Sequence, residues 1–273
     1  MNQQSWRVIF SPPCDGAANM AVDEAILQEV AGGRAPATLR FYAWTPPCLS
    51  LGMAQRHAEV DRARLEARGW DLVRRPTGGR AILHTDELTY SVIAPQDEPR
   101  VAGSVVESYR RLSGGLARGL QLLGLQIAEA NPADAGRKGS GPICFEVPSH
   151  YEITAGGKKL VGSAQARRLG VVLQHGTLPL VGDLSRIGEA LAFEEGADAR
   201  EVARARTLAR ATTLEQALGR AVTWEEAARA MAQGFAEALD LPLEPGDLTG
   251  AEREAAARLR VEKYAAPAWM LRR

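Results

Sequence analysis

Alternating and continuous apolar stretches along the chain predict a strand-rich middle part. Strands are predicted over 6–10, 38–44, 48–52, 70–75, 80–84, 87–94 and 170–180. In the second of these, Leu39 and Phe41 alternate with Arg40 and Tyr42, which is typical of a strand with one buried face.

Apolar residues at helical spacing predict helices at both ends of the chain and one long helix in the middle. The predicted helices run from 15 or 16 to 31 and over 58–68, 103–123, 183–192, 199–209, 212–219, 223–239 and 250–260. This order predicts an α+β fold with a mixed or antiparallel sheet flanked by helices. We expect a core over 1–182 and a helical segment over 183–273 that packs on it, together forming one domain.

The charge balance and composition limit the classes of function. The 273 residues include 33 Lys and Arg and 33 Asp and Glu, so the net charge is zero and a general nucleic-acid binder is not indicated. No apolar run has the length of a membrane span, and residues 1–10 lack the features of a signal peptide. We therefore expect a cytoplasmic protein with neither a membrane nor a nucleic-acid partner.

The three cysteines are too few and too scattered for a disulfide framework, and none belongs to a Cys-x-x-Cys zinc pair. No metal site is expected. We interpret Cys14 and Cys48 as buried thiols, which leaves Cys144 as the cysteine of interest.

A predicted β-hairpin over 141–166 carries both a nucleophile and a cation. Cys144 stands before one arm, the turn contains Gly156 and Gly157, and Lys159 lies on the returning arm. The preceding stretch, 131–141, is polar and glycine-rich, which predicts a loop and a lid over a site. The hairpin thus allows a thiol and an ammonium to approach each other.

A nearby ammonium would make Cys144 a better nucleophile, because a free thiol has a pKa of about 8.5 and is mostly protonated at neutral pH. Lys158 should point away from the site if Lys159 points toward it, since neighbours on a strand face opposite sides. Two alternatives remain open at this point. Cys144 could be a buried thiol beside an exposed Lys-Lys pair, or it could form a cysteine–histidine dyad with His150 or His175.

A glycine turn between two predicted strands forms a second candidate site. The stretch 74–84 reads RRPTGGRAILH, in which Gly78 and Gly79 let a ligand approach the backbone closely. Their amides could bind an anion, although the pattern is not a P-loop. A tight strand connection with solvated arginines is the alternative interpretation, and His84 alone is more often structural than catalytic.

Several motifs together resemble one family. The motifs, in chain order, read NMAVDEAIL, PPCLSLGMAQ, RRPTGGRAILH, CFEVPSHYEI, GGKKLVGSAQ and LQHGTLPL. This order is similar to the lipoate–protein ligase A and biotin/lipoate-ligase family. The cysteine placed fifteen positions before Lys159 resembles the octanoyltransferase branch that uses acyl carrier protein. The resemblance covers about 20–180 and weakens in the helical tail.

The resemblance implies a fold, a reaction and a catalytic pair. The fold would be the biotin/lipoate-ligase catalytic fold, and the reaction would need no cofactor because a thioester already holds the free energy for an amide. Cys144 would carry the octanoyl group as a thioester, and Lys159 would lower the pKa of that cysteine. The donor would be octanoyl acyl carrier protein, and the acceptor would be a lipoyl domain such as glycine-cleavage H protein or a 2-oxoacid dehydrogenase E2.

The motifs also predict which residues surround the substrate. The predicted substrate-binding residues are Arg75, Thr77, Gly78, Gly79, Arg80, His84, Gly162, Ser163, Ala164, His175 and Gly176. The wall of an acyl slot is assigned to Ile82, Leu160, Val161 and Leu173. A basic landing surface for acidic partners is assigned to Arg74, Arg75, Arg80, Arg167 and Arg168.

Three other functions remain open from the sequence. An ATP-dependent lipoate–protein ligase would activate free lipoate, and an amidotransferase would take octanoyl from H protein. A binding module that sequesters lipoyl domains or acyl groups would show no turnover.

Overall fold

The computed structural model describes residues 5–126, 153–193 and 197–272. Its strands are β1 Trp6–Phe10, β2 Thr38–Tyr42, β3 Cys48–Leu51, β4 Asp71–Arg74, β5 Ile82–His84, β6 Glu87–Pro95, β7 Ile153–Ala155, β8 Lys158–Arg168, β9 Val171–Pro179 and β10 Leu243–Pro245. Its α-helices are α1 Gly16–Ala31, α2 Arg62–Ala67, α3 Val105–Leu122, α4 Ala197–Arg210, α5 Leu214–Leu218, α6 Trp224–Ala238, α7 Gly250–Leu259 and α8 Pro267–Met270.

The main sheet has seven strands in the order β10-β1-β2-β6-β9-β8-β7. Its central and hairpin pairs are antiparallel, whereas β1 runs parallel to both β2 and β10. The fold is therefore α+β with a mixed, mainly antiparallel sheet, as the sequence predicted.

A second, three-stranded sheet has the order β4-β3-β5. The strand β3 pairs parallel with β4 and antiparallel with β5. The glycine turn at 76–80 connects β4 to β5. This small sheet therefore holds the glycine turn in place.

Helices cover both faces of the main sheet. On one face α3 and α6 pack closely, with Leu112, Leu116, Met231 and Phe235 in the largest core cluster. On the other face α1 contacts β6 and β9, and α7 packs on α1. The helix α1 also contacts β4 of the small sheet.

Local sequence explains where the main helices begin. Asp15 caps α1 by accepting a hydrogen bond from the Ala18 amide, and Ser104 and Glu107 form a capping box at the start of α3. The predictions for these helices are confirmed within two residues. The predicted helix over 58–68 is partly wrong, because 57–59 forms a 3₁₀ turn and α2 begins at Arg62.

Two predictions about strands need correction. The strand β2 is buried on both faces, because Arg40 lies under α1 with an ion pair to Asp23 at 2.8 Å. The strand β10 was not predicted, since three residues are too few to show alternation.

The chain after residue 182 contributes to both layers of the fold. The strand β10 extends the main sheet, and α6 covers its α3 face. The division at residue 182 stays a prediction. Within the described residues, no helix is both long and apolar enough to cross a membrane.

Candidate active site

A cavity lies between the main sheet, the small sheet and α1. The lining residues are Met20, Tyr42, Trp44, Arg75, Ile82, His84, Thr89, Gly162, Ser163, Ala164, His175, Gly176 and Thr177.

One row of residues across four strands forms a wall of the cavity. Tyr42 lies opposite Thr89, Thr89 lies opposite Thr177, and Thr177 lies opposite Gly162. Three strand spacings separate the ends of this row, which is about 14 Å at about 4.8 Å for each spacing. The cavity therefore extends across the strands, from β8 to β2.

A buried carboxylate on α1 contacts this part of the sheet. Asp23 on α1 accepts hydrogen bonds from Arg40 at 2.8 Å, Ser91 at 2.9 Å and Tyr42 at 3.0 Å. Burial works against the charged form of Asp23, but the hydrogen bond from His175 and the Arg40 charge outweigh it and lower its pKa. Asp23 is thus an ionised group at the centre of the fold.

His175 lies between this carboxylate and a hydroxyl group. Its Nδ1 is 3.5 Å from Asp23 Oδ2, and its Nε2 is 2.6 Å from Thr77 Oγ1. Burial lowers the pKa of His175 despite the neighbouring carboxylate, so the imidazole is neutral at pH 7. With Nδ1 donating to Asp23, Nε2 accepts from the Thr77 hydroxyl.

His84 is held in the same way by a second carboxylate and a second hydroxyl. Its Nδ1 lies 2.6 Å from Glu87 Oε1, and its Nε2 lies 2.6 Å from Ser50 Oγ. Arg75 Nη1 donates to the same Ser50 oxygen at 2.6 Å, and arginine cannot accept. Contacts at both ring nitrogens therefore hold the His84 ring in a single orientation.

An aromatic contact fixes His84 from its face. The Trp44 ring stacks on the imidazole with centroids 4.0 Å apart and planes 13° apart. Trp44 Nε1 donates to Thr89 Oγ1 at 2.7 Å, and Thr89 donates to Glu87 at 2.6 Å. This wall of the cavity is consequently rigid.

The glycine turn closes against the small sheet. Gly79 has φ of +92°, which favours glycine, and a Cβ on Gly52 would lie 2.0 Å from the Gly79 carbonyl oxygen. Arg75 Nη2 donates to the carbonyls of Gly78 and Arg80, each at 3.0 Å. The close backbone approach and the arginine together define the shape of this turn.

The returning arm of the predicted hairpin is β8, and the turn at Gly156 and Gly157 has positive φ at both glycines. Lys159 is 6% exposed, and its carbonyl accepts a hydrogen bond from the Thr212 amide at 3.0 Å. Lys159 does not line the cavity, but Gly162, three residues along the strand, does. Cys144, His150 and the predicted lid over 131–141 lie outside the described residues.

The cavity brings together most of the predicted substrate-binding residues. Those that line it are Arg75, His84, Gly162, Ser163, Ala164, His175 and Gly176. Thr77 does not line the cavity but is hydrogen-bonded to His175, which does. Gly78, Gly79 and Arg80 form the adjoining turn. Their roles in substrate binding stay predictions.

Most of the predicted acyl wall lies away from this cavity. Of the four residues assigned to it, Ile82 lines the cavity, and the other three do not. Leu160 and Val161 belong to the core cluster under α3 and α6, and Leu173 packs against α1. Apolar residues on a sheet buried on both faces do not reveal which face holds a ligand.

The predicted basic surface is wrong for two of its members. Arg74 and Arg75 are 0% and 2% exposed, and their guanidinium groups donate to backbone carbonyls inside the protein. Arg167 is half-buried and donates to the Gly103 carbonyl at 2.6 Å, whereas Arg168 is exposed. Buried carbonyl groups that need donors explain the paired arginines.

The cysteine predictions have different outcomes. Cys48 is fully buried, and burial raises the pKa of its thiol well above the ordinary value, so it is unreactive. Cys14 is only partly buried, contrary to the prediction.

Sequence reasoning missed Tyr42, Trp44, Thr89 and Thr177 of the cavity lining. It also missed the two carboxylates behind the histidines. Asp23 carried a signal, because it is an acid inside the apolar motif NMAVDEAIL. Glu87 follows His84 by three residues and had no comparable signal.

The cavity combines an apolar interior with oriented polar groups. Met20, Tyr42, Trp44 and Ile82 provide contact for a hydrocarbon chain, and each of the two imidazoles is held between a carboxylate and a hydroxyl. Among the described residues, no group of three or more His, Cys, Asp or Glu side chains forms a metal site. The arrangement suits binding of a short apolar acyl group with proton transfer at one end.

Comparisons with known proteins agree on one family. A sequence profile of the lipoyl protein ligase A/B catalytic domain matches residues 15–236. Octanoyltransferase LipM of Kyrpidia tusciae is 46% identical over 275 aligned residues, covering 99% of this chain and 100% of the relative. Octanoyltransferase LipM of Moorella thermoacetica is 43% identical, with 100% of both chains covered.

Solved structures show the same relationship. A bi-partite lipoate protein ligase described with its E2 lipoyl domain, from Thermoplasma acidophilum, has a TM-score of 0.81 at 25% identity and covers 98% of this chain and 96% of its own. A lipoate-protein ligase A bound with ATP has a TM-score of 0.77 at 25% identity, with 98% of both chains covered.

Proposed function

Because the chain belongs to the lipoyl protein ligase A/B catalytic domain family, we propose how it transfers an octanoyl group in protein lipoylation. The chain is an octanoyltransferase. The observation that carries this conclusion is its identity of 46% and 43%, over the full length, to two octanoyltransferases. The acceptor is a lipoyl domain.

We propose that the donor is octanoyl acyl carrier protein and that H protein and E2 lipoyl domains are acceptors. A carrier thioester supplies the free energy of the amide, so this donor explains transfer without a nucleotide. The E2 lipoyl domain that accompanies the Thermoplasma ligase supports this class of acceptor.

The first step forms an acyl-enzyme on Cys144. The thiolate attacks the thioester carbonyl, a new C–S bond to Cys144 forms, and the C–S bond to the carrier breaks. The carrier leaves as a thiolate and takes up a proton from solvent. Lys159 favours the thiolate by its positive charge. The backbone amides of Gly78 and Gly79, or those over 162–164, stabilise the oxyanion.

The second step forms the amide and regenerates the enzyme. The neutral ε-amine of the acceptor lysine attacks the acyl-cysteine, the C–N bond forms, and the C–S bond breaks. Lys159 relays the released proton to solvent, and Cys144 returns to the thiolate. The cavity keeps the octanoyl chain out of water through both steps, which its apolar lining of Met20, Trp44 and Ile82 supports.

The test is acyl-enzyme formation without ATP. We expect the pure protein to gain the mass of one octanoyl group after incubation with octanoyl acyl carrier protein, because the thioester needs no activation. The Cys144→Ser variant should gain none. Intact mass spectrometry, followed by peptide mapping, measures both.

Cys14→Ser is the matched control, because Cys14 is the partly exposed cysteine outside the cavity. It should be acylated like the parent protein. Acylation of Cys144→Ser, or transfer from free lipoate that requires ATP, would contradict the proposed mechanism in favour of a ligase.

A comparison of donors separates the remaining alternatives. Octanoyl-H-protein as the preferred donor would identify an amidotransferase. Binding of lipoyl domains without any acyl-enzyme and without turnover would identify a binding module.

A further inference from the structure

Two pairs of adjacent like-charged residues connect the cavity to the C-terminal segment 260–270. Asp23 and Glu24 are neighbours on α1, and Arg74 and Arg75 are neighbours at the end of β4. All four are buried, with exposed fractions of 0%, 8%, 0% and 2%. In each pair one side chain faces the cavity network and the other faces the C-terminal segment.

Glu24 binds the C-terminal segment at two side chains. The Tyr264 hydroxyl donates to Glu24 Oε2, and Lys263 Nζ donates to the same oxygen at 2.5 Å. Asp23, the preceding residue, binds Arg40 and His175 of the main sheet. The position of α1 over the cavity is therefore linked to Tyr264.

Arg74 both donates hydrogen bonds to the C-terminal segment and accepts one from it. Its guanidinium donates to the Met270 carbonyl at 2.8 Å, and its own carbonyl accepts from Trp269 Nε1 at 2.9 Å. The same guanidinium donates to the carbonyls of Gly52 at 3.0 Å and Gln55 at 2.6 Å. Arg74 thus joins the C-terminal segment to the loop that follows β3.

Arg75, the next residue, lines the cavity and binds groups beside it. It donates to Ser50 and to the carbonyls of Gly78 and Arg80. Ser50 in turn holds His84. Tyr264 and Trp269 contact each other edge to face at 5.8 Å, so the two attachments form one unit.

We propose that the C-terminal segment 260–270 positions the cavity residues His175 and His84 by binding Glu24 and Arg74. Tyr264 and Trp269 are the positioning residues, and neither lines the cavity. They act through Asp23 and Arg75 on the two imidazoles. The effect on turnover rests on the proposed function, whereas the effect on the imidazoles does not.

Two conservative substitutions test this inference. Tyr264→Phe retains the ring and removes the hydroxyl hydrogen bond, whereas Trp269→Phe keeps a smaller aromatic ring and removes the Nε1 hydrogen bond. We expect kcat for octanoyl transfer to fall about tenfold, because small misplacements in a site are costly, with KM for octanoyl acyl carrier protein changed less than about twofold.

Nuclear magnetic resonance of histidine-labelled protein provides a readout that is independent of activity. The ring resonances of His84 should shift in Trp269→Phe, and those of His175 should shift in Tyr264→Phe. The resonances are assigned with His84→Asn and His175→Asn. Failure of the wild-type protein to transfer octanoyl would contradict the proposed function and leave these shifts as the test of the inference.

Met231→Ala is the matched control for stability. Met231 on α6 is buried in the core beneath α3 and α6, on the face of the main sheet opposite α1, and it does not line the cavity. This variant should lower the thermal midpoint without changing kcat or the imidazole resonances. Unchanged resonances and kcat in both test variants would overturn the inference. Equal losses of kcat in Met231→Ala at the same loss of thermal midpoint would overturn it as well.

Discussion

At the scale of single residues, the cavity contains two histidines that each lie between a carboxylate and a hydroxyl. The sequence predicted both histidines as site residues because they lie in motif strands. It did not predict Asp23, Glu87, Ser50 or Thr77 as their partners, because these contacts join residues up to 152 positions apart. A hydrogen bond of that range depends on the fold and has no local pattern.

The lowered pKa of His175 has a consequence for stability in acid. Because the folded-state pKa lies below the ordinary value of 6.5, the unfolded chain binds the proton more tightly. The contribution of His175 to stability should therefore be fully present above about pH 7. The free energy of unfolding should fall as the pH decreases below 6.5. The slope is at most about 1.4 kcal/mol for each pH unit from this group.

Urea unfolding of the wild-type protein and of His175→Asn between pH 7.5 and 5 measures this effect. The variant should lose less stability over that interval than the wild-type protein, because asparagine does not titrate. If the free energy of unfolding changed with pH by the same slope in both proteins, His175 would not be held neutral by burial.

At the scale of elements, strand β9 shows how closely the hairpin and the sheet approach each other. A Cβ on Gly176 would lie 2.5 Å from Ser163 Oγ, 2.6 Å from Tyr90 and 2.7 Å from the Gly162 carbonyl oxygen. Two of these contacts involve residues of β8, one of them backbone. Gly176 therefore permits β8 to pair with β9 beside the cavity.

We expect Gly176→Ala to destabilise the protein by about 1–3 kcal/mol, since the added methyl group overpacks this contact. Octanoyl transfer should fall as well, because Gly162 and Ser163 would be displaced. Gly114→Ala on the exposed face of α3 is the control: its Cβ meets no atom within 4 Å, and it should be neutral or stabilising. Equal melting temperatures for Gly176→Ala and the wild-type protein would contradict this account.

The elements were largely predictable from the sequence where they are long and regular. Five long elements agree with their predicted ranges: β6, β9, α1, α3 and α6. Each is long enough for a pattern of apolar residues to repeat along it. The faces of β2 were not predictable. Arg40 on an apparently polar face is buried by an ion pair with α1, which alternation alone does not reveal.

At the scale of the whole molecule, the two ends of the chain meet in one sheet. The strand β10 pairs with β1, and the residues of α6 complete the core on the α3 face. The sequence predicted the helices after residue 182 but not their place in the core, because apolar spacing on a helix does not identify its packing partner.

A fragment of residues 1–182 should therefore not unfold cooperatively. It would lack Leu214, Val222, Met231 and Phe235, which are all at most 4% exposed in the core beneath α3 and α6. Circular dichroism melting and binding of a hydrophobic dye compare the fragment with the full chain. A cooperative transition without dye binding would show instead that 1–182 is an independent domain.

The like-charged neighbours on α1 and β4 have a consequence for how such sequences are altered. Replacing Asp by Glu or Arg by Lys in such a doublet keeps the net charge the same. Here each doublet directs its two side chains to different partners, one in the cavity network and one in the C-terminal segment. A replacement that is silent by charge would still change the reach of a carboxylate or remove guanidinium donors, and its effect would depend on which of the two neighbours it altered.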